Sequence, residues 1–146
     1  MGAVVMKTPS MNLFDYLYLS ALILDIATVI AGWDYFVLDI HNQVHAAGGG
    51  PDVQVFYSSV APWIVAATFI PGVLLWVFIA LFRWSPVRYI LAVFVGYEIL
   101  SLIIGFPDLP FPVWILVLGC IATGLKIAAT IMVFRSDAVA WLKREV

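Results

Sequence analysis

The sequence predicts an all-α polytopic membrane protein. It is read as a four-transmembrane-helix bundle with a short amphipathic interfacial helix between the first and second spans. Three observations carry this expectation. Of 146 residues, 64% are hydrophobic and only 11% charged, against about 45–50% apolar and about 25% charged in a soluble domain. Mean hydropathy is +1.08. Apolar runs of roughly 20 residues recur, and about 20 apolar residues cross about 30 Å of hydrocarbon as a helix. The runs are apolar on every side, whereas the strands of a transmembrane barrel would alternate apolar and polar residues. The length leaves no room for a soluble domain beside four spans. A net charge of −2 without a basic patch argues against nucleic acid as a partner.

The first span is predicted over about residues 13–32. Lys7 and the run Leu17–Leu24 imitate a signal peptide, but Asp25 interrupts the run and the apolar stretch continues beyond it, so a retained helix is expected. A linking segment follows over about 33–57. Within it, residues 33–45 form an amphipathic wheel: Trp33, Phe36, Val37, Ile40 and Val44 share one face, with Asp34, His41 and His45 opposite. Such a helix can lie in the membrane plane or cap the bundle. Gly48-Gly49-Gly50-Pro51 is a strong break.

The second span is predicted over about 58–82, with Pro62 in its first turn, where proline is tolerated. Pro71 falls mid-span, where the lost amide should kink the helix. Arg83-Trp84-Ser85-Pro86 reverses the chain into a third span over about 87–105. The proline-rich turn 106–112 leads to a fourth span over about 113–134. The tail 135–146 is amphipathic and polar.

Lys7, Arg83, Arg88, Arg135, Lys143 and Arg144 fall on one side of this weave. Asp34, Asp39, Asp52 and Asp108 fall on the other, which carries no Lys or Arg. The positive-inside rule then puts both termini in the cytoplasm. Trp33, Trp63, Trp84, Trp114 and Trp141 lie near predicted helix ends, as an aromatic belt requires.

Asp25, Glu98 and Lys126 lie inside the apolar runs, where a charge is costly and marks a functional site by default. They stand about 12, 11 and 9 residues from the cationic ends of their helices, which at about 1.5 Å per residue is one depth to within roughly 5 Å. Each shares a small or polar stripe of the kind that packs against other helices: Tyr18, Ala21, Thr28 and Gly32 with Asp25; Ser101 and Gly105 with Glu98; Gly119, Thr123 and Thr130 with Lys126. All three are expected to face inward, with Lys126 bonded to one or both carboxylates. Such a cluster suits either internal glue for the bundle, contact with a partner, or proton or ion movement. Cys120, Gly124 and Ala128 form a further small-residue ridge for helix packing. Asp15, near a helix end, is expected to reach the lipid headgroups.

His41 and His45, spaced i, i+4, are the one candidate metal pair, and they lack a third ligand. No metal site and no cofactor are expected. The chain carries no zinc-protease motif, nucleophile elbow or phosphate-binding glycine loop, so enzyme activity is not expected. The remaining readings are an accessory or structural subunit of a membrane complex or homo-oligomer, and an oligomeric proton- or ion-coupled transporter or channel. Partners are then the lipid bilayer and other membrane subunits or further copies of the chain.

The opening Leu13-Phe14-Asp15-Tyr16-Leu17-Tyr18-Leu19 and the closing Phe134-Arg135-Ser136-Asp137-Ala138-Val139-Ala140-Trp141, with the four-span plan, resemble small uncharacterised bacterial inner-membrane proteins. The resemblance covers the plan of the chain. It implies a bacterial inner membrane and implies no activity, and Asp25 and Glu98 are not part of it.

Overall fold

Apolar composition and breaker placement divide the chain into helices. The computed structural model describes residues 7–105 and 111–143. Among these, α1 covers Pro9–Ala31, α2 Trp33–Ala46, α3 Pro51–Ala80, α4 Val87–Gly105, α5 Val113–Val133 and α6 Ser136–Leu142. All regular structure among the described residues is helical. The helices α1, α3, α4 and α5 are each long and apolar enough to cross a membrane. Residues Asp108 and Arg144, and most of the proline-rich turn, lie outside the described residues.

Several boundaries differ from the sequence reading. Helix α1 begins at Pro9 rather than near Leu13, because a proline in the first turn loses no helical hydrogen bond. Helix α3 begins at Pro51, not near Ser58, and the glycine run ends there with Gly50 extended as its N-cap. Residues 51–57 are therefore helix, not linker. Pro62 then lies well inside α3, not in its first turn. Pro62 and Pro71 are both carried within one helix that runs unbroken by assignment to Ala80.

Helix α2 packs back against α3 across the glycine turn. Gly48 adopts φ +81 there, a left-handed conformation that suits glycine. The apolar face of α2 is half-covered, and none of its residues is fully buried. The Phe36 and Phe111 rings meet at a tilt, with centroids 4.9 Å apart.

The buried apolar core lies at the end of the molecule that carries the cations. Met11, Phe14 and Tyr18 of α1 meet Leu75 and Ile79 of α3, Val87 and Leu91 of α4, and Val133 of α5. Helix α6 closes this end. Its Trp141 is 1% exposed and belongs to the core, so it is not a belt residue as the sequence suggested. Lys7 and Arg83 lie over the Trp141 ring, at 5.9 and 4.6 Å from its centre. Arg83 takes φ 52 in the turn that follows α3 and its C-cap Leu81. Trp63, 76% exposed, stands far from either end of the longer α3.

Asp15 has partners within the chain. It accepts hydrogen bonds from Lys7 at 2.6 Å and from the Trp76 indole at 3.0 Å. The Cys120–Gly124–Ala128 ridge is also placed differently. Cys120 and Gly124 are exposed, and a Cβ on Gly124 would meet nothing within 4 Å. The face of α5 that packs on α1 carries Ala122, Lys126 and Ala129 instead.

Candidate functional site

The structure brings Asp25, Glu98 and Lys126 together from α1, α4 and α5. Lys126 Nζ donates to Glu98 Oε1 at 2.8 Å and to Oε2 at 3.0 Å. Asp25 Oδ2 stands 2.7 Å from the same nitrogen. The ammonium has three N–H donors, and these three oxygens are enough to occupy them. The Lys126 side chain is 8% exposed, while Asp25 and Glu98 are 23% and 24% exposed. The cation is thus enclosed and the carboxylates are partly open.

Local sequence explains the arrangement. Lys126 shares a helical face with the small Ala122 and Ala129, both fully buried, and so its stem crosses the tight seam between α5 and α1. Thr130 Oγ1 donates to the Lys126 carbonyl at 2.8 Å. On α1, Thr28 Oγ1 donates to the Leu24 carbonyl at 2.7 Å. Tyr18, wholly buried, donates its hydroxyl to the Gly72 carbonyl at 3.1 Å. A Cβ on Gly72 would lie 3.1 Å from Leu22 Cδ2, so glycine permits this close approach of α3 to α1.

Two cavities flank the triad. One, of about 410 Å³, is open and runs between α1, α4 and α5 from the triad toward Phe36 of α2. The other, of about 150 Å³, lies toward α3 and is lined by Thr68, Phe69 and Gly72. Asp25, Glu98 and Lys126 line both. Thr28, Ser101 and Thr123 add hydroxyls to the larger one. Sequence reasoning identified the charges and their polar stripes but not Phe69, Tyr97 or the cavities themselves. An empty space depends on how helices diverge, and no residue pattern encodes that directly.

His41 and His45 remain on α2, apart from the triad. Among the described residues no group of three or more His, Cys, Asp or Glu is placed to hold a metal ion. Pro71 stands beside Gly72 in α3, next to the Tyr18 contact.

The fold defines a class: an all-helical protein with four helices long and apolar enough for a multi-pass membrane protein. No protein-family model, curated protein or solved structure matches this chain.

Proposed function

We propose that the chain is a small multi-pass protein of the bacterial inner membrane, serving as an accessory or structural subunit of a larger membrane complex or of a homo-oligomer. In this reading the four long helices form a transmembrane bundle, α2 lies in the outer interface, and both termini are cytoplasmic. The observation that carries the structural role, as against translocation, is the closure of the ion triad within one chain. Asp25, Glu98 and Lys126 tie α1, α4 and α5 together and need no partner for Lys126. Such a network acts as a staple for three spans. Gly96 and Gly124 leave bare backbone on the outward faces of α4 and α5, where another helix can approach closely. The convergence of Lys7 and Arg83 on Trp141 supports one cationic, cytoplasmic end. The resemblance in plan to small bacterial inner-membrane proteins supports the compartment.

Extraction in a mild detergent followed by native mass measurement tests the reading. A defined assembly larger than the 16.2 kDa chain is expected. A monomer at every protein concentration would overturn it.

A second reading, proton or ion translocation by an oligomer, is favoured by one observation. The triad separates two cavities and lines both. In reconstituted vesicles this reading expects flux that drops when Lys126 or Glu98 is neutralised. Flux equal to that of protein-free vesicles rejects it.

A further inference from the structure

We infer that the larger cavity beside the triad is a binding site for a small amphiphilic amine, an ammonium group carried on an apolar body. The inference does not depend on the oligomeric state proposed above.

Hydrogen-bond capacity sets the polar end of the ligand. Lys126 has its donors engaged by Glu98 Oε1 and Oε2 and by Asp25 Oδ2. Asp25 meets Lys126 through Oδ2, and among the described residues Oδ1 has no donor and can accept. Thr28 has given its proton to the Leu24 carbonyl, so what it still offers is also an acceptor. Two carboxylates face one ammonium, so their acceptor lone pairs outnumber its three N–H donors. A partner at the triad corner is best a group with N–H donors. The Ser101 and Thr123 hydroxyls can donate or accept, so the carboxylates set the preference for a cation over a carboxylate or phosphate.

The remaining wall sets the other end. Val29, Phe36, Leu102, Ile115 and Leu116 carry no side-chain oxygen. A bare metal cation wants a full shell of oxygens, about six to eight for calcium, and would occupy only the triad corner. A cavity of about 410 Å³ falls within the about 300–1,000 Å³ of small-molecule pockets, which combine apolar walls with a few placed polar groups. Phe69 and Tyr97 add aromatic faces near the triad, which attract an ammonium or its substituents. Gly119 lines the cavity, and a Cβ there would meet nothing within 4 Å. That position is open space adjoining the site.

The test uses the full chain in phosphatidylcholine nanodiscs, with phenylbutylamine as probe and calorimetry as readout. Phenylbutanol and phenylbutyrate serve as controls of similar shape. Saturable binding of the amine is expected, at least tenfold tighter than either control. Asp25→Asn retains the Glu98–Lys126 pair and should weaken the amine at least tenfold. Gly119→Leu adds bulk to the cavity wall at a position where its Cβ meets nothing within 4 Å, and should abolish binding while the protein elutes unchanged. If Asp25→Asn does not fold, Gly119→Leu decides alone. Equal heats for amine and alcohol, unsaturable uptake as in empty nanodiscs, or full affinity in Gly119→Leu would overturn the inference.

Discussion

At the scale of single residues, the triad is asymmetric, and the asymmetry predicts an order of effects. Lys126→Met leaves two carboxylates facing each other without a cation. Removing one partner from a buried ion pair costs about 3–5 kcal/mol in general, and less where the carboxylates keep some exposure, as both do here. Glu98→Gln instead removes one of the two carboxylates and keeps a side chain that can still accept from Lys126. Thermal unfolding in detergent should therefore show a large fall in midpoint for Lys126→Met and a small change for Glu98→Gln. An equal loss in both would mean that charge balance does not govern the site.

Asp137 offers a second residue-scale prediction, outside the spans. Its carboxyl is held below the ordinary carboxylate range, first by a hydrogen bond from the Ser10 side chain, against desolvation, and further by the backbone amides of Ser10, Ala138 and Asp137 itself. The Ser10 amide lies 3.3 Å from Oδ2. The carboxylate thus stands at the start of α1, where Thr8 makes no side-chain cap and negative charge is favoured. Because the folded pKa is depressed, the stabilisation is complete above the unfolded value of about 3.9. It is lost as pH falls below that value and through the folded one. Asp137→Asn should flatten this acid limb of the melting curve against pH and leave behaviour above about pH 5 parallel to wild type. A limb unchanged in Asp137→Asn would assign the acid sensitivity to other carboxylates.

At the scale of elements, glycines with different neighbours give a contrast. Gly72→Val must displace Leu22 and the Tyr18 hydroxyl, which stand 3.1 and 3.6 Å from its first added carbon. Overpacking of this kind costs about 1–3 kcal/mol. Gly96→Ala meets nothing within 4 Å inside the chain and should be neutral in a dispersed monomer. Melting midpoints that fall alike would contradict the close α1–α3 seam. The same elements show what sequence could and could not reveal. All four spans were legible because apolar length is a long-range, redundant signal. The depth of Asp25, Glu98 and Lys126 was legible because helical rise is fixed and charges in apolar runs are rare. The start of α3 was not, because Val53, Phe56 and Tyr57 read as linker until the turn at Gly48 folds α2 back onto that segment. Helix α6 was hidden in a short polar tail, since its burial depends on a pocket built by Met11 and Ile79, far away in sequence. The Ser10–Asp137 contact spans 127 positions, and no local pattern announces it.

At the scale of the whole molecule, the two ends differ in charge and in packing, and the two differences coincide. The cationic end holds the apolar core, with α6 and the turn after α3 folded over it. The opposite end holds α2 with Asp34 and Asp39, the start of α3 with Asp52, and the part of the larger cavity that Phe36 lines. If cations set orientation, as they do for short loops, the tightly packed end faces the cytoplasm and the Phe36 part of the cavity lies toward the other side. A fluorescent protein that matures only in the cytoplasm, fused after Val146, should then fluoresce. A cysteine introduced at exposed His45, in a Cys120→Ser background, should react with a membrane-impermeant maleimide added from outside the inner membrane. The same reagent should miss a cysteine placed at exposed Arg135 until the membrane is opened. Reversed labelling would invert the orientation and turn the Phe36 part of the cavity toward the cytoplasm, while leaving the triad and its contacts as they stand. Labelling of both positions in intact cells would break the link between charge and topology, since a single fixed orientation cannot expose both ends.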